Sequence, residues 1–162
     1  MNIRKTTSQD FEEVLKLYEE ARTFMKENGN PTQWGAVYPP VEAVEADIAA
    51  GKSYVCEEDG RLLGTFFFAV EADPDYAVIE DGSWLSGGDY AVMHRVACPG
   101  RQKGVGSFCV NWCVEQSGGD LRIDTHDDNL PMQHMLEKNG FKRCGIIHLA
   151  NGDARIAYEK VC

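Results

Sequence analysis

The sequence predicts one α/β domain spanning residues 1–162. Two observations carry this. A strand-like run, Tyr90–Ala97, leads through Arg101-Gln102-Lys103-Gly104-Val105-Gly106-Ser107 into a segment whose apolar residues Val105, Phe108, Cys109, Trp112 and Cys113 recur at helical spacing. A second strand-like run begins at Leu121 and passes through Asp127-Asp128-Asn129. It enters a short helix with Met132, Met135 and Leu136 on one face, stopped by Asn139-Gly140-Phe141. With 43% hydrophobic and 26% charged residues over 162 positions, the chain is long enough for one core and ordinary for a globular protein.

The remaining elements follow in order. Ile3-Arg4-Lys5 is a short strand. Ser8 or Asp10 can cap a helix with Phe11, Val14, Leu15, Tyr18, Ala21, Phe24 and Met25 on its apolar face. Asn28-Gly29-Asn30-Pro31 ends that helix. Thr32–Pro40 shows no periodicity but holds Trp34 and Tyr38. Val41–Ala50 reads as a second helix ending at Gly51. Ser53–Glu57 and Leu62–Val70 flank Asp59-Gly60, a hairpin signal. The second of these is nearly all apolar, as a strand covered on both faces would be. Glu71–Asp89 is an insertion with little regularity that carries Tyr76, Trp84 and Leu85. Leu121–His126 alternates, with Leu121, Ile123 and Thr125 on one face and Arg122, Asp124 and His126 on the other. Ile146–Leu149 turns through Asn151-Gly152-Asp153 into Arg155–Glu159.

Composition narrows the function. The net charge is −10 and no cluster of cations is present, which argues against nucleic acid as a partner. An acidic surface favours a cationic acceptor such as an amine. No apolar run approaches the roughly 18 residues of a membrane span. Arg4 and Lys5 precede no apolar stretch, so no signal peptide is expected and the expected location is cytoplasmic. The six cysteines form no Cys-x-x-Cys pair, and the four histidines show no metal spacing. Cys109 and Cys113, one helical turn apart, read as buried small side chains in a reducing compartment, and no metal site is expected.

A glycine-rich loop between a strand and a helix start offers several free backbone N–H groups to an anion. Gly104 and Gly106 remove side chains that would hold a phosphate away, and Arg101 and Lys103 add positive charge. The loop is neither a P-loop nor a dinucleotide fingerprint. Its Arg-x-x-Gly-x-Gly pattern resembles the pyrophosphate loop of the GNAT family, the GCN5-related N-acetyltransferases. Asn129 followed by Lys138-Asn139-Gly140-Phe141 resembles that family's closing motif. The likeness is specific from Tyr90 to Ile147 and looser before.

The resemblance implies a mixed central sheet of six to seven strands, splayed between the fourth and fifth, with helices on both faces. It implies acetyl-CoA in the gap. Pantetheine would pair with backbone at Val96, Ala97 and Cys98, and the diphosphate with Arg101, Gln102, Lys103, Gly104, Val105, Gly106 and Ser107. Asn129, Met132 and Lys138 would hold the far side. The implied reaction is acetyl transfer by direct attack of a primary amine on a small molecule, amino acid or peptide N-terminus. Asp124 aligns with a position where several family members carry a catalytic glutamate. His126 and His94 are rival bases. Variable segments build the acceptor side in this family, so Trp34, Tyr38, Tyr76, Trp84 and Tyr90 are the acceptor candidates. One departure stands out. Leu136 occupies the place of a tyrosine that often serves as general acid, and Tyr90 or Tyr158 would have to replace it. Cys98 as an acyl-carrying nucleophile lacks an evident base. Three alternatives remain distinct: the enzyme, an acyl-CoA-sensing domain without catalysis, and an unrelated nucleotide-binding protein. Family members often pair as homodimers.

Overall fold

Asn2–Lys5 (β1), Ser53–Glu58 (β2), Arg61–Ala69 (β3), Ala91–Ala97 (β4), Asp120–Thr125 (β5), Lys142–His148 (β6) and Ala154–Val161 (β7) form one sheet, ordered β1-β2-β3-β4-β5-β7-β6. Helices Phe11–Glu27 (α1), Val41–Ala49 (α2), Val105–Gln116 (α3) and Leu130–Lys138 (α4) cover it. This computed structural model describes residues 1–162. Neighbouring strands are antiparallel except β4 and β5, which run parallel. The β2–β3 hairpin turns at Asp59 and Gly60, both at positive φ (52° and 77°), as the Asp-Gly pair predicts. The start of α1 is fixed differently from expectation. The Asp10 carboxylate reaches back to accept from the Thr7 N–H (2.8 Å) and from Arg4, ahead of the helix proper.

On one face, α3 and α4 pack against Phe66, Met93, Leu121, Ile123 and Tyr158, with Cys109 and Leu136 in the same cluster. On the other face, α1 and α2 cover β2 to β4 through Val14, Leu17, Val44, Val55 and Leu62. α3 is wedged between the sheet and α4, so its buried face is broader than the predicted stripe. Val110 and Val114 are buried and Phe108 is exposed.

No helix covers the second face over β5, β7 and β6. The insertion Glu71–Asp89 does so instead. A 3-10 turn at Pro74–Tyr76 sets Tyr76 against Val92, Ile147 and Ala157. Glu80 and Ile146 exchange two backbone bonds, each 2.8 Å. A Cβ on Gly82 would lie 1.9 Å from the Cys144 carbonyl oxygen, and one on Gly145 would lie 2.5 Å from that of Glu80. Both glycines are therefore required for so close a backbone approach. Tyr90 stands just outside β4, and its hydroxyl accepts from the Asp73 N–H (3.0 Å).

The pairing of β4 with β5 covers only Ala91–Leu121 and Val92–Arg122, after which the strands part. A bulge bends β4 beyond that point. Phe67 pairs with His94 and Thr65 with Ala97, leaving Arg95 and Val96 opposite Phe66 alone. Arg95 takes φ 48°. Two bonds to Asp47 (2.8 and 2.9 Å) hold it there, with its guanidinium 4.7 Å above the Phe67 ring. The expected splay is present.

Candidate active site

The parted strands leave a cleft of about 640 Å³. A smaller cavity of about 150 Å³ adjoins it, sharing Met25, Val96, Asn129 and Met132. At this narrow end the chain enters α3 through Gly104 in the left-handed region (φ 81°). No backbone N–H from Gln102 to Ser107 finds an acceptor in the protein, and the α3 ladder begins with Phe108 N–H to Gly104 O (3.0 Å). A Cβ at Gly104 would meet nothing within 4 Å, and one at Gly106 only Met135 at 3.8 Å. Free N–H groups facing open space fit the diphosphate of coenzyme A. The unpaired edges of β4 and β5 fit an extended pantetheine arm added as a strand.

The wide end is built from side chains. Asp124, on β5, lies deep in the cleft and accepts from the Tyr76 hydroxyl at 2.6 Å. Burial pushes the Asp124 carboxyl above the usual carboxylate range, while His94, the Tyr76 bond and Arg155 pull the other way. Burial first, and then the charge of Asp124, hold the Tyr76 hydroxyl well above its ordinary pKa, so Tyr76 keeps its proton and donates it. His94 Nε2 lies 2.7 Å from Asp73 Oδ2. Burial pushes the Asp73 carboxyl up, but the bonds from His94 and from the Asp75 N–H outweigh it and leave the group below its usual range. Trp34 and Tyr38 wall this end, with ring centroids 5.9 Å apart.

The structure brings some expected residues together and separates others. Asp124, His94, Val96, Asn129, Met132, Trp34 and Tyr38 line the main cleft, and Cys98 and Gly106 line the adjoining cavity. Asn129 caps α4 through Met132 N–H (3.2 Å) and donates to Gln33 (3.0 Å). His126 lies outside the lining. Its Nδ1 accepts from Asp128 N–H (2.9 Å) and its Nε2 approaches Thr32 Oγ1 (3.4 Å), so it braces a turn. It follows β5 rather than continuing it, which removes it from the face predicted by alternation.

Arg101 turns away from the loop it was expected to charge. It donates to Glu20 (2.9 and 2.5 Å) and to the Leu62 carbonyl (2.8 Å), pinning the loop to α1 and β3. Lys103 and Lys138 are exposed and line neither cavity. Ser107 Oγ accepts from Asn139 (2.9 Å), which ties α3 to α4. Tyr76 and Trp84 of the insertion form an aromatic group with Tyr90, with the Arg122 guanidinium 4.2 Å from Trp84 and 3.9 Å from Tyr90. Of these, only Tyr76 reaches the cleft chemistry, through Asp124. Leu136 is fully buried in the core, Tyr158 is fully buried against Glu137, and Tyr90 accepts from the Asp73 N–H away from the cleft lining, so neither tyrosine offered as a substitute acid borders the cleft. Cys98 Sγ faces Gly64, where an added Cβ would come within 2.8 Å.

Asp73, Asp75, Gln33, Arg95 and Arg155 line the cleft without having been singled out in the sequence. Arg155 and Glu159 left a trace, as charges at the two ends of the apolar run Ile156-Ala157-Tyr158. Asp73 left none.

The family model for the acetyltransferase (GNAT) family matches residues 11–141. This chain belongs to the GNAT family. A GNAT acetyltransferase from Streptococcus agalactiae is 30% identical, with a TM-score of 0.90, and the match covers 99% of this chain and 95% of that one. A GNAT acetyltransferase from Listeria monocytogenes is 22% identical, with a TM-score of 0.71 and coverage of 99% and 94%. An aminoglycoside acetyltransferase solved with coenzyme A and kanamycin is 21% identical, with a TM-score of 0.65 and coverage of 99% and 94%. These last two speak to the fold. No curated protein sequence matches. The chain is thus a GNAT acetyltransferase, and the family uses acetyl-CoA. No helix is long and apolar enough to cross a membrane.

Proposed function

We propose that this GNAT enzyme moves the acetyl group of acetyl-CoA to a primary amine by direct attack, with Asp124 as the base. The observation that carries the reading is the Asp124–Tyr76 bond at 2.6 Å, set deep in the cleft where the two parallel strands part. Acetyl-CoA supplies an activated acyl group. The N–H groups of Gln102 to Ser107 hold its diphosphate, and the β4 backbone at Val96 to Cys98 aligns its arm. The Val96 N–H, at the bulge, is the donor we assign to the developing oxyanion.

An ammonium has no lone pair, so the acceptor must lose a proton before attack. Tyr76 occupies Asp124 Oδ2, and Oδ1 has no partner in the protein and is left to take that proton. A carboxyl raised by burial is a better base than an exposed one. His94, fixed by Asp73, stands on the same wall. The departing thiol has an ordinary pKa of about 8.5 and leaves tolerably as thiolate, so the leucine at 136 is compatible with turnover.

The acceptor we expect is a small molecule, an amino acid or a peptide N-terminus, entering past Trp34 and Tyr38. The test is thiol release from acetyl-CoA in the presence of a panel of primary amines. Release above hydrolysis that falls on Asp124→Asn supports the reading. Tight coenzyme A binding with no amine-dependent release overturns it.

A further inference from the structure

Two arginines are buried, Arg122 at 5% exposure and Arg155 at 7%. Their surroundings differ. Arg122 is paired with Glu159 at 2.9 Å and donates to the Ser86 carbonyl at 2.7 Å. Arg155 pairs with no carboxylate. Its contacts are its neighbour's carbonyl at Ala154 (2.9 Å) and a long bond to the Gln33 carbonyl (3.4 Å). A guanidinium withdrawn from water without a counter-charge is costly, and an anion supplied from outside relieves that cost.

The position of Arg155 says where that anion would sit. Asp124 pairs with Ala157 across β5 and β7, so Arg155 is its diagonal neighbour on the same face of the sheet. Such neighbours stand about 7–8 Å apart. Ala157, between them, is too small to fill the space. Both side chains line the cleft.

Of the other charges lining the cleft, Arg95 is held by Asp47 and Asp73 by His94, while Asp75 has no ion pair and Asp153 accepts from the neutral Asn151 amide. On the β5–β7 wall a carboxylate base stands beside a guanidinium that has no ion pair. Gln33 adds to the same corner: its Oε1 accepts from Asn30 (2.8 Å) and Asn129 (3.0 Å), which leaves its amide NH2 to donate.

We propose that the acceptor is an amino acid whose free carboxylate is bound by Arg155 while its amine faces Asp124. This rests on the acetyl-transfer reading for the chemistry at the amine, but the carboxylate subsite is testable by binding alone. A guanidinium reads a carboxylate through two parallel N–H bonds, which a neutral amide cannot accept in the same way. Neutral amines and peptides extended at the carboxyl end would lose this contact.

The experiment measures calorimetric affinity of the α-amino acids and their C-terminal amides for the protein saturated with coenzyme A. The best-bound acid should bind about ten-fold or more tightly than its own amide. Arg155→Gln should reduce the acid to the level of the amide and leave the amide unchanged. Arg155→Lys should restore part of the difference. Equal affinity for acid and amide, affinity for neither, or a preference that survives Arg155→Gln overturns the proposal. The acid–amide comparison on the unaltered protein decides the matter if the variants fail to fold. Acid-selective binding without thiol release from acetyl-CoA would overturn the transfer reading and leave the carboxylate subsite standing.

Discussion

At the narrow end of the cleft the groups we propose for binding are backbone N–H groups from one unbroken stretch, Gln102 to Ser107, which have no acceptor in the protein. At the wide end they are side chains of Asp73, Tyr76, His94, Asp124 and Arg155, brought together from an insertion and three strands. The first kind of site needs only a local turn and the absence of Cβ atoms. The second needs the whole sheet to be in register. The two ends should therefore fail in different ways when altered.

The largest effect is expected at the narrow end. Gly106→Phe places a ring where the diphosphate would lie, and only Met135 is near. Loss of several charge-assisted bonds should weaken coenzyme A binding by about 100-fold or more. The melting temperature should change little. Gly104 is a poorer test, because its positive φ would strain any replacement and mix folding with binding. Undiminished coenzyme A affinity in Gly106→Phe would break the backbone account of that end.

At the wide end, Asp124→Asn should lower kcat by about 100-fold or more, with coenzyme A affinity unchanged. Its effect on stability has the opposite sign. The folded pKa of Asp124 is raised, so its contribution to stability is present below the unfolded pKa and is lost as pH rises through the folded value. At neutral pH the asparagine variant should melt at the same temperature as the parent or higher, and this advantage should vanish in acid. A variant that is both inactive and less stable at neutral pH would indicate a structural role instead.

Tyr76→Phe sharpens the same point by a smaller step. The hydroxyl donates to the ionised carboxylate and holds the Asp124 pKa down. Without it, that pKa rises further, so the acid limb of kcat should move to higher pH. An unmoved limb would separate the titration from Asp124.

Arg101→Ala should cost about 0.5–1 kcal/mol of stability, as a partly exposed ion pair does, while changing coenzyme A affinity by less than about three-fold. Its partner is Glu20, not the cofactor. A large loss of coenzyme A affinity would mean that the guanidinium swings to the phosphates in the complex. The smallest effect belongs to Trp84→Phe. Trp84, within the insertion, packs against Tyr76 and Arg122 and lies outside the cleft, so KM for the acceptor should stay within about two-fold.

Much of the narrow end was legible in the chain itself. Glycine spacing, the preceding strand and the helical periodicity after Val105 are all local signals, and they located the loop. The Arg101 charge was misread because its partner, Glu20, lies on a distant helix. His126 was misread because strict alternation was extended one residue past the end of β5.

By itself the sequence determined the order of elements, the α/β class and the glycine-rich turn that opens α3, because each depends on residues close together along the chain. Only the tertiary structure decided which charges remain without partners. Arg122 and Arg155 look alike as residues in strands. Glu159 reaches one across the β5–β7 pairing, and no carboxylate reaches the other. Tyr76 likewise became the partner of Asp124 only when the insertion folded onto the open half of the sheet. Pairing and burial are set by contacts between distant segments, and a linear pattern does not contain them.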